Sequence, residues 1–462
     1  MVSALRYVFI KDKSFYKKVA WLALPIAAQS LITVGVNMMD TIMVGRVGET
    51  ELSAVSLANT FINIYHILCM GISMGASVLV ARFNGMKDQV DMQKSVAIMY
   101  RLTILIASFF CIATLAAPEA VMQIYSRETG IVESGVEYLR WSVVTYYLLG
   151  LSLTTTIILR AVGKQKVPLY TSIGAFFINV GANYIFIFGH FGMPGMGVAG
   201  AALGTLIARL FETVMICGFL FFKDDVIGFR IRNLFMKTGD LLREYIRISI
   251  PVLISDGILA LGNNSVAIII GRIGGEFVAA NAVTAVTQQM SSVLTQGFSQ
   301  AGTMITGKTL GEGDSKKAQE QGYAFLGIGF LLGLLSAAVI LVIRNPVIRS
   351  YHLSENTENI AAQLMDAIAI IVLFQSTNSI MTKGVLRGGG DTRILMAADN
   401  IFLWVASLPL GILAAFVFRL SAFWIYFFLK IDQVLKAIWC VYRLRSGKWI
   451  KKIKGSQKTE EG

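Results

Sequence analysis

Charged side chains are scarce in this sequence. Only 15% of its 462 residues are Asp, Glu, Lys or Arg, against about 25% in soluble domains, so a soluble globular protein of this length is excluded. Histidine is scarcer: His66, His190 and His352 are scattered and form no H-E-x-x-H or similar ligand spacing. The four cysteines, Cys69, Cys111, Cys217 and Cys440, lie inside apolar runs with no paired spacing. That argues against a disulfide framework or thiolate metal site and leaves buried thiols. A P-loop and a nucleophile elbow are also missing. The GGGDT at 388–392 lacks the strand and helix context of a nucleotide loop and reads as a tight cytoplasmic turn. With no catalytic constellation, neither an enzyme nor a cofactor is expected. Energy must then come from an ion gradient or from the substrate's own gradient.

Apolar residues, by contrast, make up 55% of the chain and come in long runs, at 102–117, 250–270, 324–343 and 394–418. Each is nearly or fully long enough to cross about 30 Å of hydrocarbon as a helix. The net charge of +13 invites a nucleic-acid reading, but Lys and Arg cluster in the short gaps between apolar runs and in the tail. That is the distribution of the positive-inside rule, and basic groups placed there meet anionic headgroups. No nucleic-acid partner is therefore expected; the bilayer is. The basic start (Lys11, Lys13, Lys17, Lys18) leads into an apolar run too long for a signal-peptide core, which reads as a retained first span.

The chain also repeats itself. Residues 25–88 recur as 251–314 at a constant offset (251 − 25 = 226). Pro25, Asn37, Gly45, Gly48, Gly71, Ser73, Gly85 and Asp88 fall on Pro251, Asn263, Gly271, Gly274, Gly297, Ser299, Gly311 and Asp314. Twelve spans are expected near 18–44, 54–81, 95–117, 137–159, 168–189, 197–222, 245–270, 279–306, 321–343, 360–384, 394–418 and 421–442. The gaps alternate between basic (around Arg82, Arg160, 223–247, Lys308 and Arg387) and poor in Lys and Arg. Both termini are thus expected in the cytoplasm. Six spans per half is an even number, so the halves enter the membrane from the same side and the repeat is parallel. The expected domains are an N-lobe at 1–222, a cytoplasmic linker at 223–244, a C-lobe at 245–445 and a basic tail at 446–462.

The run PIAAQSLITVGVNMMDTIMVGRVG resembles the first span of MATE (multidrug and toxic compound extrusion) transporters of bacterial type. ILRAVGKQKVP at 158–168, the segment at 179–205 and GVLRGGGDTR at 384–393 resemble later parts of the same family, in order. The resemblance implies an all-α polytopic membrane protein of twelve transmembrane helices. These form two parallel six-helix bundles, V-shaped, with a pseudo-twofold axis along the membrane normal. It further implies export of cationic or amphipathic compounds by alternating access, driven by entry of H⁺ or Na⁺, in the plasma (inner) membrane and as a monomer. A related flippase for lipid-linked saccharides is the competing expectation. It usually needs a strongly cationic cavity, and this chain has few unpaired basic residues at membrane depth.

Ionisable groups inside a membrane cost roughly 2.5–3.5 kcal/mol or more, so each needs a reason. Asp40 lies in the first span, fifteen residues after Pro25, a proline able to kink the helix. The resemblance gives Asp40 an ion-coupling or substrate-linked role; the bland alternative is an interfacial carboxylate. Asn179 and Asn183, four apart, share a helix face. In the family an Asn is followed four residues later by Asn or Asp near the first-span carboxylate. Asp40, Asn179 and Asn183 are therefore a candidate Na⁺ site, equally suited to one proton, and interhelical glue is the alternative. Asp256 sits about eleven residues into the seventh span, where some family branches carry a functional Glu; pairing across the lobe is the alternative. Asp399 is a further candidate that could join it in a C-lobe cluster. Arg209/Glu212 and Asp432/Lys436, three and four apart, read as self-neutralising bridges. Met38, Met39, Met43, Met70, Met74, Tyr146 and Tyr147 are offered as adaptable cavity surface.

Overall fold

The computed structural model describes residues 12–351 and 354–451. Lys11, His352 and the predicted basic tail beyond residue 451 lie outside the described residues. The first half runs through α1 (Lys13–Gly45), α2 (Glu49–Met86), α3 (Gln89–Ala116), α4 (Pro118–Gln123), α5 (Thr129–Ser142), α6 (Thr145–Ala161), α7 (Lys166–Phe188) and α8 (Gly197–Gly218). The second half runs through α9 (Gly239–Ile273), α10 (Gly275–Gly311), α11 (Ser315–Ser350), α12 (Glu355–Ile380), α13 (Thr392–Ile401), α14 (Leu408–Ile412), α15 (Ala422–Leu429) and α16 (Ile431–Arg445). All are α-helices, as a bilayer requires of segments that must satisfy their own backbone groups.

Among the described residues, nine helices are long and apolar enough to cross a membrane, and α5 with α6, bent by 59° at their junction, makes a tenth. The remaining two spans fall short for identifiable reasons. The first, α10, buries a ladder of hydroxyls, Thr284, Thr287, Thr295, Ser299, Thr303, Thr306 and Thr309. Several of these bond backbone carbonyls, as Thr284 does to Ala280 at 2.8 Å and Thr303 to Lys383 at 2.9 Å, so their polarity is absorbed within protein. The second, α15–α16, is interrupted at Lys430 and carries the buried pair Asp432 and Lys436. With these the chain has its twelve helical spans.

The duplication is visible in detail. Asp88 caps α3 by accepting from Asp91 N at 3.0 Å, and its counterpart Asp314 caps α11 by accepting from Lys317 N at 2.9 Å. The preceding residue is left-handed in both copies: Gly313 at φ 85°, but Lys87 at φ 58°. A non-glycine residue there costs roughly 1–2 kcal/mol. Lys87→Gly is therefore expected to raise stability by about 1 kcal/mol, part of the gain being offset by the freer unfolded chain. A higher melting temperature of the solubilised protein checks it. Gly71 and Gly297 have a common purpose. A Cβ on Gly297 would come within 3 Å of the Ala23 carbonyl, and one on Gly71 would meet Leu253 Cβ at 2.9 Å. Each glycine lets the proline-bearing helix of a repeat pack directly on a backbone.

By compactness the chain forms two units, and each boundary falls two residues after a repeated proline. Among the described residues, one unit takes Ala28–Leu253 and the other takes those up to Ala27 and from Ile254 to Lys451. In the N-terminal unit one apolar cluster gathers Met43, Val55, Met122, Leu139, Ile187 and Ala202, and a second gathers Tyr65, Cys69, Phe110 and Tyr146. In the C-terminal unit, α10, α11 and α12 pack around Ile340, Leu364, Ile368 and Leu429 at one end, and around Phe325, Met381, Leu386 and Trp449 at the other. Phe15, Val19 and Leu22 of α1 belong to this last cluster.

Candidate functional site

In the N-terminal unit, α1 and α7 bring together the three residues singled out by spacing. Asn183 Nδ2 donates to Asp40 Oδ1 at 2.6 Å and approaches Asn179 Oδ1 at 3.4 Å. Both asparagines are buried and Asp40 is half-buried. The approach depends on Gly204 of α8, where a Cβ would stand 2.1 Å from Asn183 Oδ1 and 3.1 Å from its backbone nitrogen. That Asn183 oxygen is buried and accepts no hydrogen bond. An unsatisfied buried acceptor costs about 1–3 kcal/mol. The cluster thus offers one carboxylate and two amide oxygens, a donor set suited to a hard monovalent cation or to a single proton.

Around this cluster the other charges are matched. Arg209 bridges Glu212 at 2.7 Å within α8. Arg160, placed by sequence in a basic gap, instead reaches inward: its NH2 nitrogen donates to Gln29 Oε1 at 2.6 Å, and Gln29 Nε2 donates to Ser172 Oγ at 2.8 Å. Gln29 lies four residues after Pro25 on α1, so this chain ties α1 just beyond its proline to α6 and α7. Tyr146 is core rather than cavity surface: it is 1% exposed, and its carbonyl accepts from Tyr65 OH at 2.7 Å. Met43 is likewise buried, whereas Met38 is exposed. An open cavity of about 940 Å³ at α4 and α5 is lined by Glu119, Glu133, Glu137, Arg127 and Arg140, and none of the candidate residues borders it.

In the C-terminal unit every predicted carboxylate has a cationic partner. Asp256 faces Arg387 at 3.6 Å. Lys436 stands between two carboxylates, 3.3 Å from Asp399 Oδ1 and 3.2 Å from Asp432 Oδ2. The remaining oxygens are also bonded, Asp399 Oδ2 by Ser255 Oγ at 3.2 Å and Asp432 Oδ1 by Ser407 Oγ at 3.0 Å. Gln433 donates to Asp432 Oδ2 at 2.7 Å and accepts from Asn378 Nδ2 at 2.8 Å. Asp399 precedes a π-helical segment, Phe402–Ser407, that ends on Ser407 between α13 and α14; such bulges are frequent at functional sites. Asp399 and Asp256 are thus near neighbours through the adjacent Ser255, but each has its own cation. The neutral stretch 375–378 knits α12 to α10 and α16: Gln288 donates to Gln375 at 2.8 Å, and Asn378 reaches Gln433.

Arg387 was legible only as a loop charge. In the structure α12 runs on through a π-turn to Leu386, and Arg387 is 6% exposed. The GGGDT turn that follows is a clamp within the C-terminal unit. Asp391 takes a bidentate pair from Arg443 at 2.7 and 3.0 Å, and Trp449 packs where a Cβ on Gly389 would otherwise stand. The described start of the predicted tail is therefore part of the core.

The sequence profile described as MatE matches residues 25–185 and 251–413, beginning at each repeated proline. A probable multidrug resistance protein NorM of Thermotoga maritima is 26% identical over 446 residues, covering 94% of this chain and 93% of that protein. One from Agrobacterium fabrum is 27% identical over 422 residues, covering 87% and 88%. Among solved structures, an outward-facing multidrug resistance MATE family transporter matches with a TM-score of 0.84 at 20% identity, covering 94% of this chain and 96% of that one. A MOP superfamily transporter from Pyrococcus furiosus, whose binding pocket is described as of reverse polarity, matches with a TM-score of 0.82 at 22% identity, covering 94% and 96%.

Proposed function

The chain belongs to the MatE family of membrane efflux transporters, and we propose that it is a secondary antiporter that exports cationic or amphipathic compounds in exchange for an entering cation, H⁺ or Na⁺, bound at Asp40. The substrate class rests on the relatives' description as probable multidrug resistance proteins. One observation carries the assignment to Asp40. Among the described residues, the other carboxylates set deep in the helices, Glu212, Asp256, Asp366, Asp399 and Asp432, each have a Lys or Arg within ion-pair distance. Asp40 has none within that distance: the Asn183 and Asn179 amides face it, and Arg209, the cation it feels, is bridged to Glu212. A carboxylate kept at membrane depth without a fixed counter-ion is expensive, and a mobile cation relieves the expense each time it binds.

Asn183 and Asn179 supply the polar shell, so that the cation exchanges its water for a carboxylate and amide oxygens rather than for hydrocarbon. Release on the far side requires the helix to move, and the Arg160–Gln29–Ser172 chain beyond Pro25 is the natural linkage to break and remake. The protein works in the inner membrane with both termini in the cytoplasm, following its Lys and Arg distribution.

The test is transport of a fluorescent organic cation in proteoliposomes under separately imposed H⁺ and Na⁺ gradients. Uptake against the substrate's own gradient is expected with one of the two. Uptake that ignores both would overturn antiport.

A further inference from the structure

The two carboxylates of the C-terminal unit raise a different question from Asp40, because the cation they hold cannot leave. Asp399 comes from α13 and Asp432 from α16, and both point at the same ammonium. The Lys436 side chain is 3% exposed, Asp432 3% and Asp399 10%. Each carboxylate spends one oxygen on Lys436 and the other on a serine hydroxyl. The Gln433 amide completes the shell on Asp432. Remove the ammonium, and what remains is two carboxylates converging on one buried, oxygen-lined space of ammonium size, which is the construction of a cation-binding site. Half-buried Lys430, at the break before α16, adds a second positive charge beside the set. Two carboxylates and two ammonium groups leave this region with no net charge to attract a further cation.

We propose that Lys436 is a tethered counter-cation filling a two-carboxylate cation site, so that the C-terminal unit takes up no ion during transport and one coupling cation is handled per cycle, at Asp40. This rests on the antiport reading above, and it assigns Lys436 a role that a simple i,i+4 bridge with Asp432 would not have. A bridge needs one partner. Here the second carboxylate arrives from another helix, and Ser407, the last residue of the π-helical segment that follows that helix, bonds Asp432 as well. Lys436 therefore fixes α13 to α16, and positions both instead of reacting with anything.

Chemical rescue tests the proposal. In Lys436→Ala the space is vacated but both carboxylates stay. The full-length variant is expected to melt several degrees below wild type in choline chloride, choline being too large to enter. Ammonium or methylammonium chloride should restore stability in a dose-dependent way, as a ligand that binds only the folded state must. Transport should recover in parallel. Lys436→Gln, which keeps most of the side-chain volume, should show the same dependence with a smaller starting loss, and serves if the alanine variant cannot be purified. Asp432→Asn/Lys436→Gln, lacking one carboxylate as well, should lose the response. The rescue must persist in Asp40→Asn/Lys436→Ala, since the two sites are separate.

No response of either Lys436 variant to small cations, or an equal response in the Asp432→Asn control, would overturn the proposal. So would Na⁺-dependent melting that survives in Asp40→Asn with Lys436 intact, because it would reveal a second working cation site. Failure of the Asp40 reading looks different: Asp40→Asn would keep ion-coupled transport while the ammonium rescue of Lys436→Ala still succeeded.

Discussion

Asp40→Asn is expected to abolish ion-coupled efflux while leaving the protein at least as stable as wild type. The two effects have one cause. The asparagine is nearly isosteric and its amide oxygen can still accept from Asn183, so the α1–α7 contact survives. What disappears is a charge with no ion-pair partner, whose cost is at most the roughly 2.5–3.5 kcal/mol of a charge at the bilayer centre. Removing it stabilises the resting protein by up to that amount, and removes a similar interaction with the entering cation. The loss corresponds to about a hundredfold in cation affinity. Thermal melting in detergent should therefore hold or rise, while proteoliposome transport driven by the ion gradient falls to background. Facilitated movement of substrate down its own gradient should persist, because the substitution removes the coupling and not the path. Ion-driven transport by Asp40→Asn at the wild-type rate would refute the assignment. A large loss of stability would point instead to a structural carboxylate.

The parts of the fold that follow local rules were legible in the sequence. The 226-residue offset predicts matched helices, and the matched caps at Asp88 and Asp314 bear it out in atomic detail. The i,i+4 spacing of Asn179 and Asn183 put them on one face, and the structure gathers both around Asp40. Partner choice was not legible. Asp432 and Lys436 announce each other by spacing, but nothing along the chain says that Asp399 takes the other side of the ammonium. That depends on how α13 and α16 cross, which has no clear sequence cue. Arg387 was hidden for a similar reason. The periodicity that ends a helix near 384 cannot show that the helix continues through a π-turn and buries the next cation. The hydropathy of α10 misleads in the opposite sense, since its threonines look soluble until the backbone carbonyls they bond are seen. The compact units, too, divide inside α1 and α9, where no break in composition marks the place.

The second large effect is at Arg387, and it separates two roles for Asp256. If the pair is a fixed internal neutralisation, Arg387→Gln leaves Asp256 charged and unpartnered. Breaking a buried pair this way costs about 3–5 kcal/mol. The Asp256 side chain is 25% exposed and the contact is 3.6 Å, so the lower end of that range applies, about 3 kcal/mol. Asp256→Asn alone strands a guanidinium 7% exposed and should cost at least as much. Asp256→Asn/Arg387→Gln removes both charges and should recover most of the loss, giving a strongly non-additive double-mutant cycle. Melting curves of the three variants measure it. A coupling carboxylate would behave otherwise: Asp256→Asn would stop ion-driven transport, and restoring stability with the second substitution would not bring it back. Recovery of both stability and transport in the double variant is the expected result, because a charge already held by the protein's own arginine has no interaction left to offer a passing ion.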